Sequence, residues 1–262
     1  MSKLLSFFIF IIISASAAAT DDDREIEKLF SEKNIDGTIV ISSLNSNKSF
    51  IYNTSRANRR FATASTFKIL NTLISLKENV ISGKNHIFKW DGHIYSHTPW
   101  NGDQSLETAF RTSCVWCYQD LARQVGAEKY RSYIHKFSYG KLSEPFEETT
   151  FWLDGSLKIS AAEQVKFLKK IYLRSLAFSK SSYQQLQQIM IVKQTPDYII
   201  RAKTGWAERL KPQVGWYVGY VETKDDVWFF ATNIVIRKKS DLPLRQKITR
   251  EILKLKRILI DT

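Results

Sequence analysis

Ser65-Thr66-Phe67-Lys68-Ile69-Leu70-Asn71-Thr72-Leu73-Ile74-Ser75-Leu76-Lys77-Glu78-Asn79 is the stretch from which the fold is best read. From Thr66 to Asn79 the apolar residues Phe67, Ile69, Leu70, Leu73, Ile74 and Leu76 cover most of a helical circumference. A helix apolar nearly all round has to be covered on every side, so this one is expected at the centre of the molecule.

Upstream of it, Gly37 to Ser42 and Ser49 to Tyr52 read as two strands, joined by Asn45-Ser46-Asn47 into a hairpin. Downstream, helical spacing is found at about 104–110, 114–125 and 127–137. Ser160-Ala161-Ala162-Glu163 has the form of a capping box opening a helix to about Ser175, and another helix is expected at 182–191. Strand patterns return at Ile199 to Trp206, Val214 to Glu222 and Val227 to Ile236, with Thr223-Lys224-Asp225-Asp226 as the turn between the last two. After Leu242-Pro243 an amphipathic helix uses Ile248, Ile252, Leu253, Leu255 and Leu259 as its apolar positions. Strands at both ends and helices in the middle predict an α/β (α+β) protein. One antiparallel β-sheet, flanked by terminal helices, would form from about 20–60 and 195–262, with a mostly helical subdomain from about 61–194. No repeat or linker divides 20–262, so a single catalytic domain is expected.

The 262 residues are 44% hydrophobic, enough for a large core. The net charge is +13, but the basic residues are scattered and no nucleic-acid motif accompanies them, which favours solvated surface charge over a nucleic-acid partner. Lys3, the apolar run Leu4 to Ile13 and the small residues Ser14 to Ala19 follow the layout of a cleavable signal peptide over 1–19. Cleavage after Ala17-Ala18-Ala19 or after Ala15-Ser16-Ala17 both fit. The run is short of the ~20 apolar residues that span a bilayer, so export to the periplasm or the medium is expected, without a stable membrane anchor. Cys114 and Cys117 are the only cysteines, and two cysteines alone do not make a zinc site. The preferred reading is two small buried thiols, with a local disulfide as the alternative in an oxidising compartment.

Two motifs carry chemistry. Ser65 and Lys68, three apart on a helix, share a face, and a serine becomes a nucleophile when a base lies beside it. A lysine can be that base only where apolar surroundings disfavour its ammonium form. Ser-x-x-Lys alone is weak evidence. Lys203-Thr204-Gly205 closes a strand far downstream and offers a cation, a hydroxyl and a site of close backbone approach. The two together, in that order, mark penicillin-recognising serine enzymes. Between them Ser113-Cys114-Val115 has an apolar third residue where class A enzymes carry Ser-Asp-Asn.

With Ser65-Thr66-Phe67-Lys68, Ser113-x-Val115, Tyr139-Gly140, Phe151-Trp152-Leu153, Lys203-Thr204-Gly205-Trp206 and Leu242-Pro243-Leu244-Arg245, the chain resembles the class D (oxacillinase-type) serine β-lactamases over nearly its whole mature length. The resemblance implies hydrolysis of penicillins, and of some cephalosporins, through an acyl-enzyme on Ser65, and so β-lactam resistance. It implies that Lys68 is carboxylated by CO2 or bicarbonate (N6-carboxylysine) within an apolar wall of Val115, Phe67 and Leu153, and that the indole N–H of Trp152 holds the resulting anion. Ser113 would relay a proton with Lys203 assisting, the amides of Ser65 and Trp206 would form the oxyanion hole, and Arg245 with Thr204 would grip the substrate carboxylate. No metal or further cofactor is implied, and monomer and homodimer are both open. Lys141 departs from the Tyr-Gly-Asn usual in the family, which puts local loop packing or substrate preference in question, and Cys114 and Trp116 flank Val115. A β-lactam sensor domain that acylates without turnover is the alternative; a D-alanyl-D-alanine peptidase fits less well without Ser-Asp-Asn, and an exported basic binding protein would make six ordered matches accidental.

Overall fold

The computed structural model describes residues 21–260, and the expected signal peptide at 1–19 lies outside them. Helix α1 (Asp21–Glu32) leads into the hairpin β1 (Gly37–Ser43) and β2 (Ser49–Tyr52). Helix α2 (Thr54–Asn58), strand β3 (Phe61–Ala62) and a 3-10 turn, Ala64–Phe67, run directly into α3 (Lys68–Lys77). Then come β4 (Ile87–Phe88), β5 (Gln104–Ser105), α4 (Leu106–Arg111), α5 (Val115–Val125), α6 (Ala127–Phe137), β6 (Lys141–Leu142), β7 (Leu157–Ile159), α7 (Ala161–Tyr172) and α8 (Lys180–Ile189). The chain ends with β8 (Ile191–Gln194), β9 (Tyr198–Ala207), β10 (Val214–Thr223), β11 (Val227–Val235) and α9 (Leu244–Leu255).

The expected sheet forms, with strand order β2-β1-β11-β10-β9-β8 and every pairing antiparallel. Both turns named from sequence close it: Ser43 N–H bonds to Lys48 O, and Thr223 N–H to Asp226 O. The sheet is covered on both faces. On one, α1 and α9 pack Ile26, Phe30, Ile248 and Ile252 against Ile39, Tyr217 and Phe230; on the other lies the larger core built around α3. All of α3 from Lys68 to Leu76 is buried, as its all-round apolar pattern requires. Some of its polar groups bond within the core: Thr72 to the Tyr118 hydroxyl, and Asn71 Oδ1 to the Ser75 and Tyr130 hydroxyls that donate to it, whereas Asn71 Nδ2 and Lys68 Nζ have no partner among the described residues.

The capping box at Ser160 forms in both directions and starts α7 where expected. The structure differs from the sequence reading at the central helix, at α9 and in several short strands. The central helix is 3-10 through Ser65 and becomes α-helical only at Lys68. Helix α9 stops at Leu255, because Arg257 turns left-handed (φ 55°) and Ile258 N–H bonds back to Leu253 O. Leu259 therefore reaches the core beyond the helix, not from it. The short strands β3, β6 and β7, which form their own sheet, and the edge strand β8 were not expected. Two to four residues are too few to show a period.

Candidate active site

The turn before α3 is fixed from outside. Ala64 sits in the left-handed region (φ 46°) and its N–H bonds to Trp152 O at 2.8 Å. Thr66 Oγ1 donates to Thr63 O at 2.6 Å and accepts from Gln164 Nε2 at 2.8 Å. Thr66 and Phe67 are fully buried, whereas Ser65 keeps 8% of its surface exposed. The turn thus presents one hydroxyl outward, with Lys68 one turn behind it, its N–H bonded to Ser65 O.

Lys68 is fully buried. Its Nζ has no hydrogen-bond partner among the described residues and lies 4.2 Å from the centre of the Tyr118 ring and 5.9 Å from that of Trp152. Burial, with a smaller push from the charge of Lys203, holds its pKa well below the usual lysine value. Trp152 is also fully buried, its ring centre 5.9 Å from that of Phe67 and 5.1 Å from that of Phe151. Its Nε1 likewise has no acceptor among the described residues. A buried donor without a partner costs about 1–3 kcal/mol, so two beside one apolar pocket point to an acceptor group that belongs there.

Strand β9 forms the opposite wall. A Cβ on Gly205 would stand 3.2 Å from Thr66 Cγ2 and 3.4 Å from Ser65 N, so glycine allows the strand to lie against the turn. Lys203, 3% exposed, donates hydrogen bonds to Ser113 Oγ and to Thr204 O. Burial, then the charge of Arg245, pulls Lys203 down to about 7. Thr204 and Trp206 alternate with Lys203 and Gly205 along the strand and are half-buried, the indole of Trp206 donating to Gln213 Oε1 at 3.2 Å. From the first turn of α9, Arg245 Nη1 donates to Gly205 O at 2.7 Å while its buried Nε has no partner, and burial lowers its pKa to about 10. A cavity of about 210 Å³ lined by Phe110, Ala202, Lys203, Thr204 and Gln246 opens beside this wall; a larger one of about 410 Å³, at Lys33 and Arg237, contains none of these groups.

The structure brings Ser65, Lys68, Trp152, Ser113, Lys203, Gly205 and Arg245 into one linked cluster. It corrects the reading of Cys114 and Cys117, which are buried but joined in a disulfide. Their three-residue separation at the start of a helix brings the two sulfurs together, which the sequence reading underweighted. Val115 is the first residue of α5 and half-buried; the ring over the Lys68 amine belongs to Tyr118, one turn further along α5, which was not singled out. The signal for it was present, since Val115 and Tyr118 share a helix face. Gly140 is left-handed (φ 68°), and a Cβ there would stand 2.2 Å from Lys158 O, whereas Lys141 is exposed, so its charge does not enter the core.

Comparison with known proteins gives a consistent result. Residues 22–254 match the family model described as the penicillin binding protein transpeptidase domain. The chain is 43% identical over 230 residues to Beta-lactamase OXA-48 of Klebsiella pneumoniae, covering 88% of this chain and 87% of that protein. With Beta-lactamase OXA-20 of Pseudomonas aeruginosa it shares 39% identity over 256 residues, 97% of this chain and 95% of that protein. Among solved structures, the class D β-lactamase YbXI from Nostoc superposes with a TM-score of 0.87 at 40% identity, covering 89% of this chain and 99% of that one. FUS-1, a class D β-lactamase from Fusobacterium nucleatum subsp. polymorphum, gives 0.88 at 36% identity over 90% of this chain and 99% of that one.

Proposed function

The chain belongs to the class D β-lactamases, within the penicillin-binding transpeptidase family, and on that basis we propose that it opens the β-lactam ring of penicillins, and of some cephalosporins, with Ser65 as nucleophile and Lys68 as general base. The observation that carries the reading is the buried, unpartnered Lys68 Nζ behind Ser65, near the unpartnered Trp152 indole. These residues fit a carboxylated lysine: a neutral amine is the form that combines with CO2, and a donor-only N–H is the complement of an anion. Carboxylation would supply an anionic oxygen base at Lys68, held by Trp152.

Ser65 Oγ attacks the lactam carbonyl carbon and its proton passes to the base at Lys68. The amides of Ser65 and Trp206 donate to the carbonyl oxygen as charge develops on it. Ser113, bonded to Lys203, hands a proton to the departing lactam nitrogen. Arg245 and Thr204 hold the substrate carboxylate, for which the planar guanidinium is well shaped. Water activated at Lys68 then releases the product from Ser65. The signal-like residues 1–19 support export to the periplasm or the medium, and among the described residues no helix is long and apolar enough to cross a membrane.

Purified mature protein is expected to turn over a chromogenic cephalosporin or a penicillin many times, and faster with added bicarbonate. A single burst that stops at saturating bicarbonate would replace the hydrolase by the sensor reading. The lowered Lys203 predicts a further effect. Below pH 7 it is an ammonium ion that favours the substrate carboxylate; above about 7 the proton leaves and that attraction is lost. KM for a penicillin should then rise with pH, by up to about tenfold per unit beyond the transition. Lys203→Met should show a high, pH-independent KM, and a wild-type KM flat from pH 6 to 9 would refute the assignment.

A further inference from the structure

Only three residues, 112–114, connect α4 to α5, and the middle one is Ser113. Its backbone is left-handed (φ 60°), a conformation that a residue with a Cβ keeps only when its surroundings impose it. On the α4 side the imposition is by hydrogen bonds: Thr112 N–H to Thr108 O, Ser113 N–H to Phe110 O and Cys114 N–H to Ala109 O. On the α5 side it is covalent. Cys114 is the N-cap residue of α5, its sulfur accepts the Cys117 N–H at 3.2 Å, and the same sulfur is bonded to Cys117. The disulfide closes the first helical turn around Val115 and Trp116. Trp116 in turn donates to Trp100 O, and Trp100 to Thr112 O, each at 3.1 Å, which ties the same turn to the loop outside it.

We propose that the Cys114–Cys117 disulfide is a positioning element of the active site, fixing the turn that carries Ser113 against Lys203 and the first turn of α5 that brings Tyr118 over Lys68. A serine or aspartate cap would hold the helix end through hydrogen bonds alone. A covalent bond across that turn limits its motion without placing a further polar group in the apolar wall. Both sulfurs are fully buried, as suits an internal staple rather than an exchanging redox pair. The inference rests on the class D reading above, in which Ser113 passes a proton during acylation.

The test compares two states of one sequence. Mature protein is refolded with reduced glutathione, leaving two thiols, or with oxidised glutathione, which takes two electrons from them, forms the protein disulfide and leaves as two reduced molecules. Thiol alkylation and mass measurement verify each state, and Cys117→Val supplies a form that cannot close the bond. The readout is the acylation rate of Ser65 by a fluorescent penicillin, per site that is finally labelled, with kcat and KM measured alongside. The open forms should acylate more slowly by on the order of tenfold or more, since small misplacements of a reacting group cost about that much. Their kcat should fall further than their KM rises. Equal rates per labelled site in open and closed forms would overturn the proposal, whether or not the open forms melt earlier, because lost stability lowers the number of labelled sites and not the rate of each. A closed form that acylates but never turns over would refute the hydrolase reading and leave this comparison intact.

Discussion

Lys68→Ala is expected to leave a protein that acylates slowly and then stalls, with steady-state turnover of a penicillin lower by about 10²–10⁴-fold, the usual contribution of a general base. The amine is fully buried and unpartnered, and no His, Asp or Glu is recorded in contact with it among the described residues. No neighbour is in place to take over. The acyl-enzyme should be detectable by intact mass after mixing with oxacillin, and rapid clearance of that mass would rule out Lys68 as the deacylating base. Lys68→Met separates chemistry from stability, because it keeps the length of the side chain and removes the ionisable group. Its kinetic loss should be as large as that of Lys68→Ala. The native pKa of Lys68 lies below that of the unfolded chain, so between those two values the unfolded state binds a proton that the native state does not. Wild-type stability from this group must therefore rise with pH across that window and fall as pH drops towards the native value. Lys68→Met should lack that slope and melt no lower than the wild type at neutral pH.

Trp152→Phe should carry the second large effect. The change keeps an aromatic ring between Phe67 and Phe151 and deletes the Nε1 donor, which has no other partner among the described residues. If that donor holds an anion at Lys68, its loss should cost about 1.5–3 kcal/mol, the worth of a hydrogen bond to a charged group, or roughly 10- to 150-fold in kcat. More bicarbonate should be needed to reach the maximum rate, and KM should move less than kcat. A variant with wild-type kcat and an unchanged bicarbonate response would mean that the indole is only packing. The Ala64 N–H bond is to the backbone of residue 152, so the turn bearing Ser65 is not disturbed by the substitution.

Features that depend on near neighbours along the chain were legible without a structure. The all-round apolar spacing of 67–76 required a buried helix, the strand-like runs at 199–206 and 214–222 formed strands, and Ser160 with Glu163 marked a helix start, which the structure bears out apart from the 3-10 turn that opens the central helix. Ser65 and Lys68 are one turn apart, so their common face follows from helical geometry alone. The pairing of Lys203 with Ser113, of Arg245 with Gly205 and of the Trp152 carbonyl with Ala64 spans 40 to 90 residues. Local propensity carries no record of such distances; the family resemblance implied only that Lys203 assists Ser113, and tertiary packing decided all three contacts. Tyr118 shares a helix face with Val115, but its place over the amine depends on how α5 crosses α3; the Cys114–Cys117 bond, by contrast, is local, spanning three residues at the start of α5. Periodicity tells which side of an element is buried. What it is buried against is fixed by long-range packing, and in this protein that packing is what leaves a buried lysine amine, with no hydrogen-bond partner among the described residues, behind its serine.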